Sequence, residues 1–173
     1  TGGGVYVMYG GLPGGYLGAV DFDQVFVNFA EGAGTITIDV DRTGSLILPL
    51  NVTVLRRTTG TATVGVDYQN FSGTGLSWAA GEGGSKSFSI TILQDTLDEP
   101  WETIVIGLDA PSHTREPNDF TIVIVDDDEA GQIQFLAAFN GRSESSGTAN
   151  ISVRRVNGAA SAVTVQYATS DLT

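Results

Sequence analysis

"VDFDQVFVNFAEGAGTITIDVDR", residues 20–42, alternates apolar and polar residues on both sides of a glycine-rich break. Side chains of an extended chain point to opposite faces with period two, so this alternation marks strands with one buried face. The break "EGAG" is a turn signal. The pattern continues through "LNVTVLRR" (50–57), "TGLSW" (74–78), "KSFSITIL" (86–93), "TIVIGL" (103–108) and "FTIVIV" (120–125), with turn-rich stretches between them. No stretch sustains a 3.6-residue apolar period. About seven short strands in roughly 110 residues without a helix predict an all-β fold, an immunoglobulin-like antiparallel β-sandwich.

The pattern then restarts. "GQIQFLAAFNGRSESSGTANISVRRVNG" (131–158) parallels the opening of the first unit. In both, an apolar strand leads to an acid (Glu31; Glu144), then Gly-Thr (Gly34-Thr35; Gly147-Thr148), an alternating strand and an arginine (Arg42; Arg154 or Arg155). The expected organisation is therefore a Gly-rich strand and linker of a preceding region (1–18), a sandwich (19–128), and the first strands of a second copy (129–173). That copy stops near its third strand, so it is expected to be truncated or completed by another chain.

Composition narrows the function. Hydrophobic residues make up 41% of the 173, enough for a real core, and charged residues only 16%. The formal charge of −12 speaks against nucleic acid and anionic membranes, which are bound through Lys and Arg. No apolar run approaches the ~20 residues of a membrane span. The absence of cysteine excludes disulfides, thiolate metal sites and Cys nucleophiles. One histidine, His113, falls in a polar loop and is expected to be exposed. With no G-x-S-x-G elbow and no phosphate loop, an enzyme is not expected. Trp78 and Trp101 are read as core or rim packing, and Tyr68 and Phe71 as core.

The acids are unevenly placed: residues 94–129 hold 11 of the 20. In "IVIVDDDEAGQIQF" (122–135), three aspartates end an apolar strand. At an effective dielectric of about 20, two carboxylates roughly 6 Å apart cost each other about 3 kcal/mol. Such a run is either a solvated linker or a shared cation site.

Taken together, "EGAGTITIDVDRTG", "GTATVGVDYQNFSGTGLSWAAGE" (60–82), "KSFSITILQDTLDEPWETIVIGL" and "TIVIVDDD" resemble the Calx-beta family, a calcium-binding β-sandwich of sodium–calcium exchangers, integrin β4 and bacterial surface proteins. The ordered match covers about 110 residues, with a partial second match at the end. The resemblance implies Ca²⁺ held by Glu31, Asp67, Asp95, Glu99, Glu102, Asp126, Asp127 and Asp128, with the carbonyl of Leu97 as a further oxygen donor. Two departures, Gln94 and Thr96 where the family carries acids, imply fewer or weaker sites.

Elementary chemistry agrees. Calcium takes six to eight oxygens from carboxylates, carbonyls and water, and acids from four segments supply them if those segments meet at one pole. The expected function is a Ca²⁺-binding structural or adhesion module of a large extracellular or cell-surface protein, with calcium stiffening the junction between units. The alternatives are a Ca²⁺-sensing regulatory domain of a transporter and a surface-filament subunit built by inter-chain strand pairing. The expected partners are adjacent domains of the same protein, with self-association or other surface proteins besides, and neither nucleic acid nor inserted membrane.

Overall fold

The computed structural model describes residues 18–71, 73–109 and 119–170. The glycine-rich opening before Gly18, His113 and the last three residues lie outside them. The chain divides into two compact units, Thr1–Gln94 with Trp101–Val125, and Asp95–Pro100 with Asp126–Thr173.

The first unit is a sandwich of two sheets. One has the order β1-β3-β6, from Ala19–Phe22, Thr35–Thr43 and Gly84–Thr91. The other has the order β2-β8-β7-β4-β5, from Phe26–Ala30, Asp119–Val125, Glu102–Asp109, Leu50–Arg56 and Thr74–Trp78. The core lies between them, as the period-two pattern requires. Ile36, Ile38 and Val40 of β3 face Ile104, Ile106 and Leu108 of β7 and Ile122 and Ile124 of β8, all in one buried cluster. Trp78 is 1% exposed, and its indole N–H donates to the Gly84 carbonyl at 2.9 Å. Tyr68 is buried as expected, and Phe71 packs against the core beside it. Trp101 departs from its expected packing and stands 67% exposed just before β7.

One expectation needs correction. "VDFDQVFVNF" reads as a single strand, but the chain breaks after Phe22 and crosses to the other sheet, where β2 pairs with β8 in parallel. Among the described residues the sandwich therefore has eight strands, and β2 and β8 form a parallel pair within an otherwise antiparallel set. The polar pair Asp23-Gln24 and the apolar run Val25–Val27 interrupt the alternation here, and the inward positions pass from Val20 and Phe22 to Val27 and Phe29, so the break is marked locally while the sheet that the next strand joins is not.

Arg42 anchors the far end of β3. It is buried, and its guanidinium donates to the carbonyls of Ala79 (3.1 Å), Glu82 (3.0 Å), Ser45 (3.1 Å) and Leu48 (2.5 Å). These bonds tie the β3–β4 loop and the β5–β6 turn to one charge. A hydrogen-bonded charge of this kind tolerates burial where an unpaired one does not.

The second unit contains β9 (Gln132–Phe135) paired antiparallel with β10 (Val153–Val156). It repeats the first at a constant offset of 113 residues, the distance from Glu31 to Glu144. The pair Phe22↔Val40 becomes Phe135↔Val153, and Ala19↔Thr43 becomes Gln132↔Val156. The 3₁₀ turn Glu31–Ala33 becomes Glu144–Ser146. The positive-φ residues Gly34 and Gly44 (68° and 78°) return as Gly147 and Asn157 (71° and 60°). Of the two arginines the repeat could use, the offset selects Arg155.

Burial does not repeat. Val52 and Val54 of β4 are 2% and 0% exposed, whereas Val165 and Tyr167 at the same offset are 57% and 91% exposed. In the first unit β4 lies between β5 and β7. Among the described residues the second unit has no strands in those places.

Trp78→Ala should cost about 3–5 kcal/mol, as for other buried aromatic truncations. Urea unfolding of the sandwich checks this. Trp101→Ala should change stability by under about 0.5 kcal/mol, as exposed positions do.

Candidate metal centre

The acidic end of the sandwich is set by strand register. Ala30 of β2 pairs with Val125 of β8. Because the two strands run in parallel, the next residues, Glu31 and Asp126, leave neighbouring strands at the same end. Antiparallel β7 starts there too, with Glu102 opposite Ile124. Asp67 reaches this end through an irregular segment. Its carbonyl accepts from Leu93 N–H at 2.9 Å, and Tyr68 bridges to Ile92 just beyond β6.

Two of these carboxylates are buried, Glu31 at 6% exposed and Asp67 at 7%. Burying an ionised carboxylate costs several kcal/mol unless a partner meets it. For Asp67 part of the answer is local, since its carboxylate accepts from the Thr63 N–H while its own N–H donates to the Thr63 carbonyl at 3.0 Å.

The Asp95–Pro100 loop is held by its own polar groups and by the second repeat. Asp95 accepts from the Leu97 N–H at 2.7 Å. Asp98 N–H donates to the Ser161 hydroxyl at 2.8 Å, and Ser161 N–H donates to the Thr96 carbonyl at 3.1 Å. This loop brings charge to the acid run. The Asp128 carboxyl is held above the ordinary carboxylate range, first by desolvation and then by the charges of Asp127, Asp126, Asp95 and Asp98. Asp126 shows the sharpest deficit, a buried Oδ1 with no hydrogen-bond partner.

Among the described residues, carboxylates able to hold a metal fall into two groups of three, with one oxygen from each member within 4.8 Å of the others. Glu31, Asp126 and Asp128 form one group, and Asp67, Glu99 and Glu102 the other. Of the nine residues expected at the site, six thus meet in threes. Asp127 and Asp95 act on Asp128 through their charge, and Leu97 lies in the same loop with its side chain 45% exposed. Asp98 escaped the sequence reading. Its signal was its place within the acid-rich 94–129 stretch, and its effect on Asp128 appears only when the loop meets the strand end. Gln94 is exposed and belongs to neither group.

The donor set suits a hard, oxygen-seeking cation. It consists of carboxylates without thiolate or imidazole, and among the described residues the buried Asp126 Oδ1 has no hydrogen-bond partner.

The Calx-beta domain model of known families matches this chain twice, over residues 17–129 and 126–173. The chain belongs to the Calx-beta family. Its curated relatives include sodium/calcium exchanger 1 of Rattus norvegicus, 28% identical over 170 residues, and of Bos taurus, 28% identical over 168. These alignments take in 87% and 86% of this chain but 17% of each exchanger. Among solved structures, the calcium binding domain CBD12 of CALX1.1 superposes with a TM-score of 0.59 at 27% identity, covering 73% of this chain and 52% of that one. The apo-form Calx CBD1 domain gives 0.58 at 24% identity over 64% of this chain and 98% of that one, which speaks to the fold alone. Calx-beta domains bind calcium, and this chain carries acidic clusters of the kind such an ion requires.

In the metal-free chain Asp128→Asn should raise the melting temperature, because it removes a charge that its neighbours repel. The sign comes from linkage. A carboxyl whose folded pKa is raised destabilises the fold once pH exceeds that pKa, and its contribution recovers as pH falls back toward the unfolded value. Thermal melts of both proteins in chelator, at neutral pH and again at acid pH, check it. The difference should shrink as Asp128 takes up its proton.

Proposed function

We propose that this chain is a calcium-sensing regulatory module of a larger transport protein, with Glu31, Asp67, Asp95, Glu99, Glu102, Asp126, Asp127 and Asp128 and the Leu97 carbonyl as its ligands. The observation that carries the reading is the buried, unpartnered Asp126 Oδ1 beside carboxylates that raise the Asp128 pKa. When bound, calcium supplies the positive charge that this cluster lacks. Glu31 with Asp126 and Asp128 would hold one ion, and Asp67 with Glu99 and Glu102 another.

The role of these residues derives from their position. Asp126–Asp128 continue β8 directly, and the 95–98 loop is bonded to Ser161 of the second repeat. Ordering these carboxylates would therefore stiffen the segment leading from one repeat to the next. A binding event that orders a linker couples occupancy to the arrangement of the next repeat, provided the two states differ in affinity. The adjacent repeat is the first partner on this reading, and the tandem CBD12 structures among the relatives support it. No catalytic role is proposed.

The exchanger relatives favour the regulatory setting over the adhesive, extracellular one suggested by composition, and they lend no support to a surface filament. Affinity separates these settings, since sensor sites bind near 10⁻⁷–10⁻⁵ M and extracellular modules near 10⁻⁴–10⁻³ M.

Calorimetric Ca²⁺ titration of the chelator-treated chain should give saturable binding in the sensor range. At free calcium 100 times Kd, stability should rise by about 2.7 kcal/mol for each independent site. Asp126→Asn should abolish most of the share of that rise that comes from the Glu31–Asp126–Asp128 group. Binding only near 10⁻⁴–10⁻³ M would move the proposal to an extracellular structural clamp. No heat and no thermal shift at millimolar calcium would leave the acid run a solvated linker.

A further inference from the structure

In the second repeat the loop after β10, counterpart of the β3–β4 loop, makes contacts that show what such a loop can hold. There Arg155 donates through Nη to the carbonyls of Ala160 and Ser161 and through Nε to that of Ala130 (2.5 Å), so the loop is rigid. The outer side of this loop carries the 95–98 loop. Ser161 N–H bonds Thr96, the Ser161 hydroxyl accepts from Asp98 N–H, and Ala160 N–H donates to the Glu129 carbonyl at 3.0 Å. Two short residues with directed N–H groups thus grip the backbone of an acidic loop and the end of an acid run.

The first repeat has the same device 113 residues earlier. Arg42 stands where Arg155 stands, and it donates to the carbonyl of Leu48, the counterpart of Ser161. The Gly81 N–H bonds the Leu46 carbonyl at 2.6 Å and closes the base. The loop is therefore equally built, but among the described residues no element covers its outer side. Ile47, counterpart of Ala160, is 77% exposed and Leu48 is 57% exposed. Two large aliphatic side chains on a loop fixed from beneath form a small apolar surface without a covering element among the described residues. The Arg42 Nε is buried without a hydrogen-bond partner among the described residues, whereas the Nε of Arg155 has the Ala130 carbonyl. Leu17, the counterpart of Ala130, lies outside the described residues.

We propose that the Ser45–Pro49 loop is a docking surface for the acidic 95–98 loop of a second copy of this sandwich, joined head to tail. The partner's chemistry is that of the contact already made once in this chain, an extended acidic loop offering a carbonyl at Thr96 and an N–H at Asp98. Its apolar flank matches the changed surface. Leu97 (45% exposed) and Trp101 (67% exposed) offer the aliphatic and aromatic area that Ile47 and Leu48 require in place of Ala160 and Ser161. A contact between unlike ends of identical units is head-to-tail, and successive copies repeat it in a ring or a row according to the rotation between them. Between free copies it is weak, and covalent linkage of successive units raises its effective concentration.

In the intact chain Ser161 already holds the 95–98 loop, so the test opens that latch. Ser161 has φ +56°, which proline cannot adopt, and Ser161→Pro also removes the N–H that binds Thr96. The chain has no cysteine, so introduced thiols report without background. Leu48→Cys is mixed under mild oxidation with Thr96→Cys in the Ser161→Pro chain. A disulfide needs the two Cα atoms within about 7 Å. Cross-linked pairs should form several-fold faster than with Thr37→Cys, an exposed control on the sheet face, in place of Leu48→Cys, and Ile47→Asp should remove the excess. If Ser161→Pro does not fold, Ser161→Gly keeps the positive φ, drops only the hydroxyl and carries the same comparison. Cross-linking no faster than the control, or an excess that survives Ile47→Asp, overturns the proposal. The reaction is run in chelator, so failure of calcium binding does not bear on its outcome.

Discussion

The parallel pairing of β2 with β8 is the constraint on which the acidic end depends. An antiparallel neighbour of β8 would finish at the opposite pole and carry its following residue away from Asp126. Running β2 alongside β8 puts Ala30 next to Val125 and sends Glu31 and Asp126 out of the sheet together. β7 begins at that pole for the complementary reason, being antiparallel to β8. A single choice of strand direction thus decides whether acids from distant parts of the sequence meet.

Bringing them together is unfavourable by itself. Like charges at close range raise one another's proton affinity, as Asp128 records, and buried carboxylates such as Glu31 lose hydration. The apolar strands beneath supply the compensating free energy. Ile104, Ile106, Ile122 and Ile124 are almost wholly removed from water, each at a gain of roughly 1.5–3 kcal/mol. The core thereby holds a local arrangement that its own residues would not choose. Strain of this electrostatic kind, concentrated at one pole, is what a cation relieves.

The internal repeat separates local from non-local causes. Turns, left-handed positions and the β1–β3 register recur at the same offset in the second unit. They are encoded locally, by Gly34 and Gly147, by Gly44 and Asn157, and by the alternation around them. Burial of the β4 counterpart does not recur, because it comes from neighbours on either side and the second unit has none there among the described residues. The same sequence pattern is core in one setting and exposed surface in the other.

Most of the fold was legible in the sequence because period-two alternation has one structural solution. Residues such as Ile36, Ile38 and Val40 fall on one face of any extended chain. The candidate site was legible only as a set of acids, since three adjacent aspartates at a strand end require either solvent or a cation. Three things were not legible. The change of sheet between Phe22 and Phe26 was not, because the interrupted alternation at Asp23–Val27 marks a break but not which sheet the next strand joins, which pairing with the distant β8 decides. Asp98 was missed because its effect on Asp128 passes through space. Trp101 was read as packed, although the turn before β7 leaves it outside. The sequence by itself determined the strands, their inward faces and which residues carry negative charge, because these depend on neighbours one or two residues away. Tertiary structure alone decided which acids share a pole and which are buried, because that depends on strand direction and sheet order, set by contacts between segments far apart in the chain.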